Sequence, residues 1–173
     1  YTEENTLSLH DALPISQQYT GLTTAQIAAI STLQASGLET ADLAALTSTQ
    51  LRAFSNDATA ALSTGAIAGL SGTQLASLRT DQIAALRDEQ VSGIASEDIA
   101  SLTTAQLAAL SNAQIDALGT TQLTQLSTRQ LTALSTAQFA AIDADKIGAL
   151  TTAQIAALTT AQIAALTADQ SGS

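Results

Sequence analysis

Apolar side chains recur along this chain at two fixed places in a period of eight. Leu150 to Leu166, LTTAQIAALTTAQIAAL, shows the unit TTAQIAAL twice without change. The same register runs from Gln18 to Gln170 with no insertion or deletion. The eighth place is Leu, Ile or Phe from Leu22 to Leu166; the fifth is apolar from Ile27 to Ile163 except for Thr59, with Ala35 its smallest member. These two repeats are expected to be the weakest links. Self-similarity at a short fixed period marks a repeat array in which each unit packs on its neighbours.

The period selects the element. A continuous helix turns about 100° per residue, so eight residues overshoot two turns by about 80° and the apolar stripe would spiral round the rod. A coiled coil needs a period near 3.5, and a β-solenoid would want alternation and β-branched residues rather than Gln and Ala-Ala. A helix restarted in every repeat fits. Thr151 is placed as N-cap and Gln154 at N3, a capping box, with Leu150 and Ile155 as its hydrophobic staple. Ser or Thr holds the cap place in 13 of the 19 units from Thr23 to Thr167, and Asp143 is a further cap candidate.

Charge follows the same register. Acids sit in the first four places, where a helix N-terminus favours them, Asp116 being the exception; places five, seven and eight carry no charge. Place seven is almost always Ala, Gly or Ser, which suggests a close backbone contact. The expected buried set is therefore five, seven and eight, with one, two, three and six facing solvent. Helices this short are marginal alone, and each Leu at place eight ends one helix and staples the next. The fold class is accordingly all-α: a short-repeat α-solenoid, a superhelix of one- to two-turn helices. The pattern leaves its handedness and repeats per turn open.

Composition narrows the chemistry. Trp, Met and Cys are absent and aromatics are 2%, so the core is Leu, Ile and Ala, and disulfides, Cys-ligated zinc and thiol catalysis are excluded. A formal net charge of −10, with only Arg52, Arg79, Arg87, Arg129 and Lys146 basic and scattered, argues against a nucleic-acid partner. No apolar run approaches the roughly 18 residues that span a bilayer.

Residues 1–16, YTEENTLSLHDALPIS, share neither the period nor the composition of the rest and contain the only Pro and the only His. TLSLHDALPIS resembles a translated sequencing-library adapter, so His10 and Asp11 are not read as catalytic. The expected organisation is a non-native leader over 1–16, the array over 17–170 and a short tail over 171–173. Starting at Tyr1 and stopping in mid-repeat, the chain reads as a fragment of a longer protein.

Four features invite a functional reading. The near-constant Gln at place four could be a ligand-binding row, but its spacing is that of a capping partner. Asp143-Ala-Asp145-Lys146 is faintly like a cation loop, yet lacks the Gly and distal Glu of a calcium hand. Thr-Thr pairs could form a hydroxyl row able to order water, as on ice-binding surfaces, though capping explains the first of each pair. Arg79 to Glu97, where charge is densest, is the best candidate for a protein-binding patch. No catalytic, cofactor-binding or metal-binding residue is assigned, and no enzymatic activity is expected.

The octapeptide [ST]-T-A-Q-[IL]-A-A-L over 18–170 resembles tandem arrays in very long surface or secreted, adhesin-like proteins of proteobacteria. The resemblance implies an extracellular or cell-surface setting and a spacer or stalk role. A protein- or peptide-binding solenoid is the alternative.

Overall fold

The computed structural model describes residues 19–170; the expected leader and tail, with His10 and Asp11, lie outside the described residues. Eighteen short helices follow one another from Thr24–Ala28 to Thr160–Gln170, most of them five or six residues long, and the described residues contain no strand. The expected all-α short-repeat solenoid is the fold observed.

Each helix starts where the pattern restarts. Where a helix starts behind a Ser or Thr at place one, that residue is extended (Thr23, φ −72, ψ 159) and its hydroxyl accepts the N–H of place four. The Gln side chain returns the bond, Oε1 accepting the cap N–H at 2.9 Å in both Thr23 and Thr151. Glu39, Arg79, Arg87, Ala95 and Gly119 start their helices with no side-chain cap bond. The place-five N–H donates to the place-one carbonyl, and the place-eight N–H to the place-five carbonyl, closing a tight last turn (Leu46 to Leu43, 3.1 Å). Corners come from extended residues at or next to the cap. No described residue has positive φ, so the chain turns every eight residues without needing glycine or proline as punctuation.

Helices pack three apart along the chain. Thr32–Ser36 lies on Asn56–Ala61, which lies on Thr80–Ala84, which lies on Thr104–Ala109, and the other two sets stack in the same way. Longer side chains reach about one repeat further back, so a superhelical turn takes between three and four octapeptides. Leu, Ile, Val and Phe at places five and eight form one continuous core from Ile27 to Leu158. Each turn's place-five side chain is covered by the turn that follows it.

The buried set differs from the expectation in one respect. Place seven is half-buried or exposed throughout, whereas place four is buried in most repeats: Gln82 and Gln90 are 0% exposed. The close approach expected at place seven does occur, but from the side. A Cβ on Gly69 would lie 2.0 Å from Thr40 Cγ2, and one on Gly93 would lie 2.5 Å from Thr64 Cγ2. Place-two threonines thus lean onto place seven of a later turn, and they are not merely solvent-facing.

Two further corrections concern the C-terminal end. Ile155 and Ile163 are 43% and 48% exposed, although they hold the core place, because no later turn covers them. The last helix continues through Thr167, where the pattern puts a new cap. With Leu166 only partly buried, a restart gains little there, and an unbroken helix leaves fewer backbone groups unsatisfied.

Candidate functional site

The most regular polar feature of the molecule is the glutamine at place four. Its Oε1 is held by the cap of its own helix, which orients the amide so that Nε2 points at the preceding turn. There it donates to carbonyls at fixed separations. Gln82 reaches Leu51 O (2.9 Å) and Phe54 O (3.0 Å), and Gln106 reaches Leu75 O (2.9 Å) and Leu78 O (2.8 Å). Gln154 reaches Leu123 O (3.0 Å) and Leu126 O (2.8 Å). The separations in these three are 31 and 28 residues, and the 28-residue bond recurs at Gln50, Gln74, Gln90, Gln114, Gln122, Gln130, Gln138 and Gln162. Gln114 and Gln130 make their second bond at 30. One side chain therefore caps a helix and ties two turns together. Buried hydrogen-bonded amides of this kind are costly only if unpaired, and among the described residues no buried side-chain polar atom lacks a partner.

Where the glutamine is missing, other residues divide its work. Lys146 holds place four of the repeat 143–150, and its ammonium donates to the backbone carbonyl and to Oδ1 of Asp116 in the turn below. The same Asp116 Oδ1 accepts the Asp143 N–H at 3.2 Å, a bond that Gln Oε1 makes elsewhere. The pair Lys146–Asp116 reproduces both ends of a glutamine, and this explains the one acid outside the first four places. Asp143 is not the side-chain cap expected: it makes no cap hydrogen bond and sits 3.6 Å from Lys146 Nζ.

Asp98 turns the tie around. Lacking N–H groups, it accepts the Gly72 N–H at 2.7 Å. A Cβ on Gly72 would lie 2.1 Å from Ser101 Oγ and 3.1 Å from Asp98 Oδ1, so the glycine makes room for both side chains.

Repeats 55–62 and 63–70 have Ala58 and Ala66 at place four, both buried, and no place-four side chain reaches the turn before. For repeat 63–70 one cross-turn bond comes from the other side, the Thr40 hydroxyl donating to Gly65 O at 2.9 Å. Ser55 and Ser63 still cap their helices. Repeat 63–70 is doubly deprived, since Asp98 cannot donate to its carbonyls from above. A depression of about 590 Å³ opens beside it, lined by Ser36, Gly37, Leu38, Glu39, Thr40, Ala41 and Ser63.

The arginines gather around this stretch. Arg79 donates to Arg52 O and Asn56 Oδ1 and pairs with Asp81 at 3.0 Å. Arg87 donates to Leu62 O at 3.2 Å and pairs with Glu89, while Arg52 reaches Ser77 O. The Arg79 guanidinium hydrogen-bonds Asp81 and holds its carboxyl below the usual carboxylate range. The cationic part of the Arg79–Glu97 patch is thus engaged within the chain, while Asp81, Asp88, Glu89 and Glu97 are exposed.

No metal-binding grouping of three or more His, Asp or Glu occurs among the described residues, and Asp143 and Asp145 are not brought to a common centre with a third acid. No described helix is long and apolar enough to cross a membrane. No curated protein and no solved structure matches the chain. The ALTTAQ repeat, which this chain spells out at Ala149 to Gln154, matches at residues 36–72, 91–128, 122–152 and 139–173. These matches cover more than half of the chain, which therefore belongs to the ALTTAQ repeat family.

Proposed function

We propose that the array is a spacer or stalk in a larger surface or secreted, adhesin-like protein, setting length and stiffness without catalysing a reaction. One observation carries the reading: the most repeated polar group, the place-four Gln, is engaged in binding each turn to the one before it. A contact renewed every eight residues makes a rod whose length scales with repeat number and which needs no other domain to hold its shape. Small-angle scattering on arrays of one, two and three times this length tests it. The maximum dimension should grow in proportion to repeat number, and a compact particle at double length would refute the reading.

A binding role is the second reading, favoured by the depression beside repeat 63–70 and the exposed acids of 81–97. Exchanging 79–97 for consensus repeats should abolish any captured partner if that role is real, and should change no interaction if the array is a spacer.

A further inference from the structure

In the tied repeats one amide bridges two turns. Gln130 shows the pattern: Oε1 accepts the N–H of its own cap, Ser127, at 2.8 Å. Its Nε2 donates to Leu102 O at 2.7 Å and Ala100 O at 3.0 Å, 28 and 30 residues back. The repeat 63–70 keeps the partners and lacks the bridge, because the Ala66 side chain ends at Cβ. At the same separations its partners are Leu38 O and Ser36 O, with the Ser63 N–H as the cap donor. Ser36, Leu38 and Ser63 all line the depression of about 590 Å³. No described residue bonds the Leu38 carbonyl or the Ser63 N–H. The frame around them is undistorted. Ser63 has φ −68 and ψ 153, against −67 and 156 at Thr151, and helix Thr64–Ala68 stacks on Thr40–Ala44. We infer that this depression binds a primary carboxamide from outside the array, its oxygen accepting the Ser63 N–H and its NH2 donating to Leu38 O and Ser36 O.

The donor and acceptors set the ligand class. A carboxylate would turn its oxygens onto two carbonyls and lie beside Glu39, and an ammonium would meet the Ser63 N–H with another donor. In the repeat 143–150 an ammonium, Lys146 Nζ, does hold the carbonyl of the turn below. There a separate acceptor at place six, Asp116 Oδ1, serves the Asp143 N–H. The matching residue here is Ser36, whose hydroxyl is already donated to Leu33 O at 2.8 Å. An amide alone carries both halves. Glutamine and asparagine side chains of a protein segment and free small amides share that group. An attachment point on one flank leaves the rod's length unchanged, so this site and the spacer role stand or fall separately.

Nitrogen–proton correlation spectra of the full chain, titrated with N-acetylglutamine methylamide, test this. Shifts should concentrate on the amides of Ser63, Gly37 and Leu38. They should saturate on the order of millimolar, the strength a few hydrogen bonds give so small a ligand. The glutamate and lysine counterparts should bind at least about tenfold more weakly. Ala66→Gln, which supplies the amide from within, should abolish the response while the spectrum stays folded. Ala58→Gln, whose repeat does not line the depression, should leave it unchanged. Propanamide should shift the same amides: equal affinity makes a free amide sufficient, and weaker affinity assigns the remainder to flanking peptide. No shift at Ser63 with either amide, a lysine counterpart that binds as well as the glutamine one, or a response that survives Ala66→Gln would each overturn the inference.

Discussion

Residues 103–142 and residues 55–70 follow the same apolar code at places five and eight, Thr59 apart, and differ at place four. In the first stretch five successive glutamines, Gln106 to Gln138, each hold the turn below by two or more hydrogen bonds. In the second, Ala58 and Ala66 hold nothing. Both stretches fold into the same short helices, because an extended residue at place one, capped by a Ser or Thr hydroxyl in all but the Gly119 repeat, and apolar burial suffice for that. The difference teaches that helix restart and turn-to-turn attachment are separate properties: place one sets the first and place four sets the second.

The comparison can be broken most severely at its strong end. Gln122→Glu keeps the acceptor for the Gly119 N–H but turns a carboxylate oxygen onto Val91 O and Ile94 O in place of an amide. It should cost about 3 kcal/mol or more at neutral pH, read from denaturant unfolding. Burial against carbonyls raises the folded pKa of such a carboxyl. The loss should therefore vanish below its unfolded pKa and grow as pH rises through the folded one.

Gln122→Ala, which converts a strong turn into a copy of the weak one, should cost about 2–3 kcal/mol through its lost cross-turn bonds. The reverse change, Ala66→Gln, should stabilise by about 1–2 kcal/mol and fill the depression beside Ser63.

Thr59→Ile sharpens the comparison from the apolar side. Thr59 is 1% exposed, and its hydroxyl bonds Ser55 O at 2.8 Å. The isoleucine should gain about 1 kcal/mol, less than full burial of a side chain would give, because a satisfied hydroxyl is removed with the defect.

The smallest effect is at Asp81→Asn, which should leave the unfolding midpoint at neutral pH unmoved. Asp81 has a lowered folded pKa, so whatever it contributes is present above its unfolded value, about 3.9, and fades as pH falls through the folded one.

Much of this was legible in the eight-residue register: the restart, the caps, the acids of the first turn, and Leu and Ile at places five and eight. The downward reach of the glutamine was not, because a capping box satisfies the Oε1 and makes no demand on Nε2. A signal did exist. Capping boxes accept Glu as readily as Gln, yet this acid-rich chain never uses Glu at place four, and only an amide can both accept from the cap and donate downward. The Lys146–Asp116 substitution for a glutamine joins residues 30 apart, a distance that no local pattern announces. Small size at place seven does not mark burial; it records the approach of a threonine methyl. Ile155 and Ile163 match their buried counterparts in type, and their exposure reflects what stacks above them, which lies outside their own repeats.

Hydrogen exchange measured by mass spectrometry across the whole chain tests directly whether place four sets turn-to-turn attachment. Backbone amides of 55–70, above all those of 63–70 with no glutamine tie above or below, should exchange first among the interior repeats. Those of 103–142 should be the slowest. Equal protection in the two stretches, or slower exchange at 63–70, would contradict it.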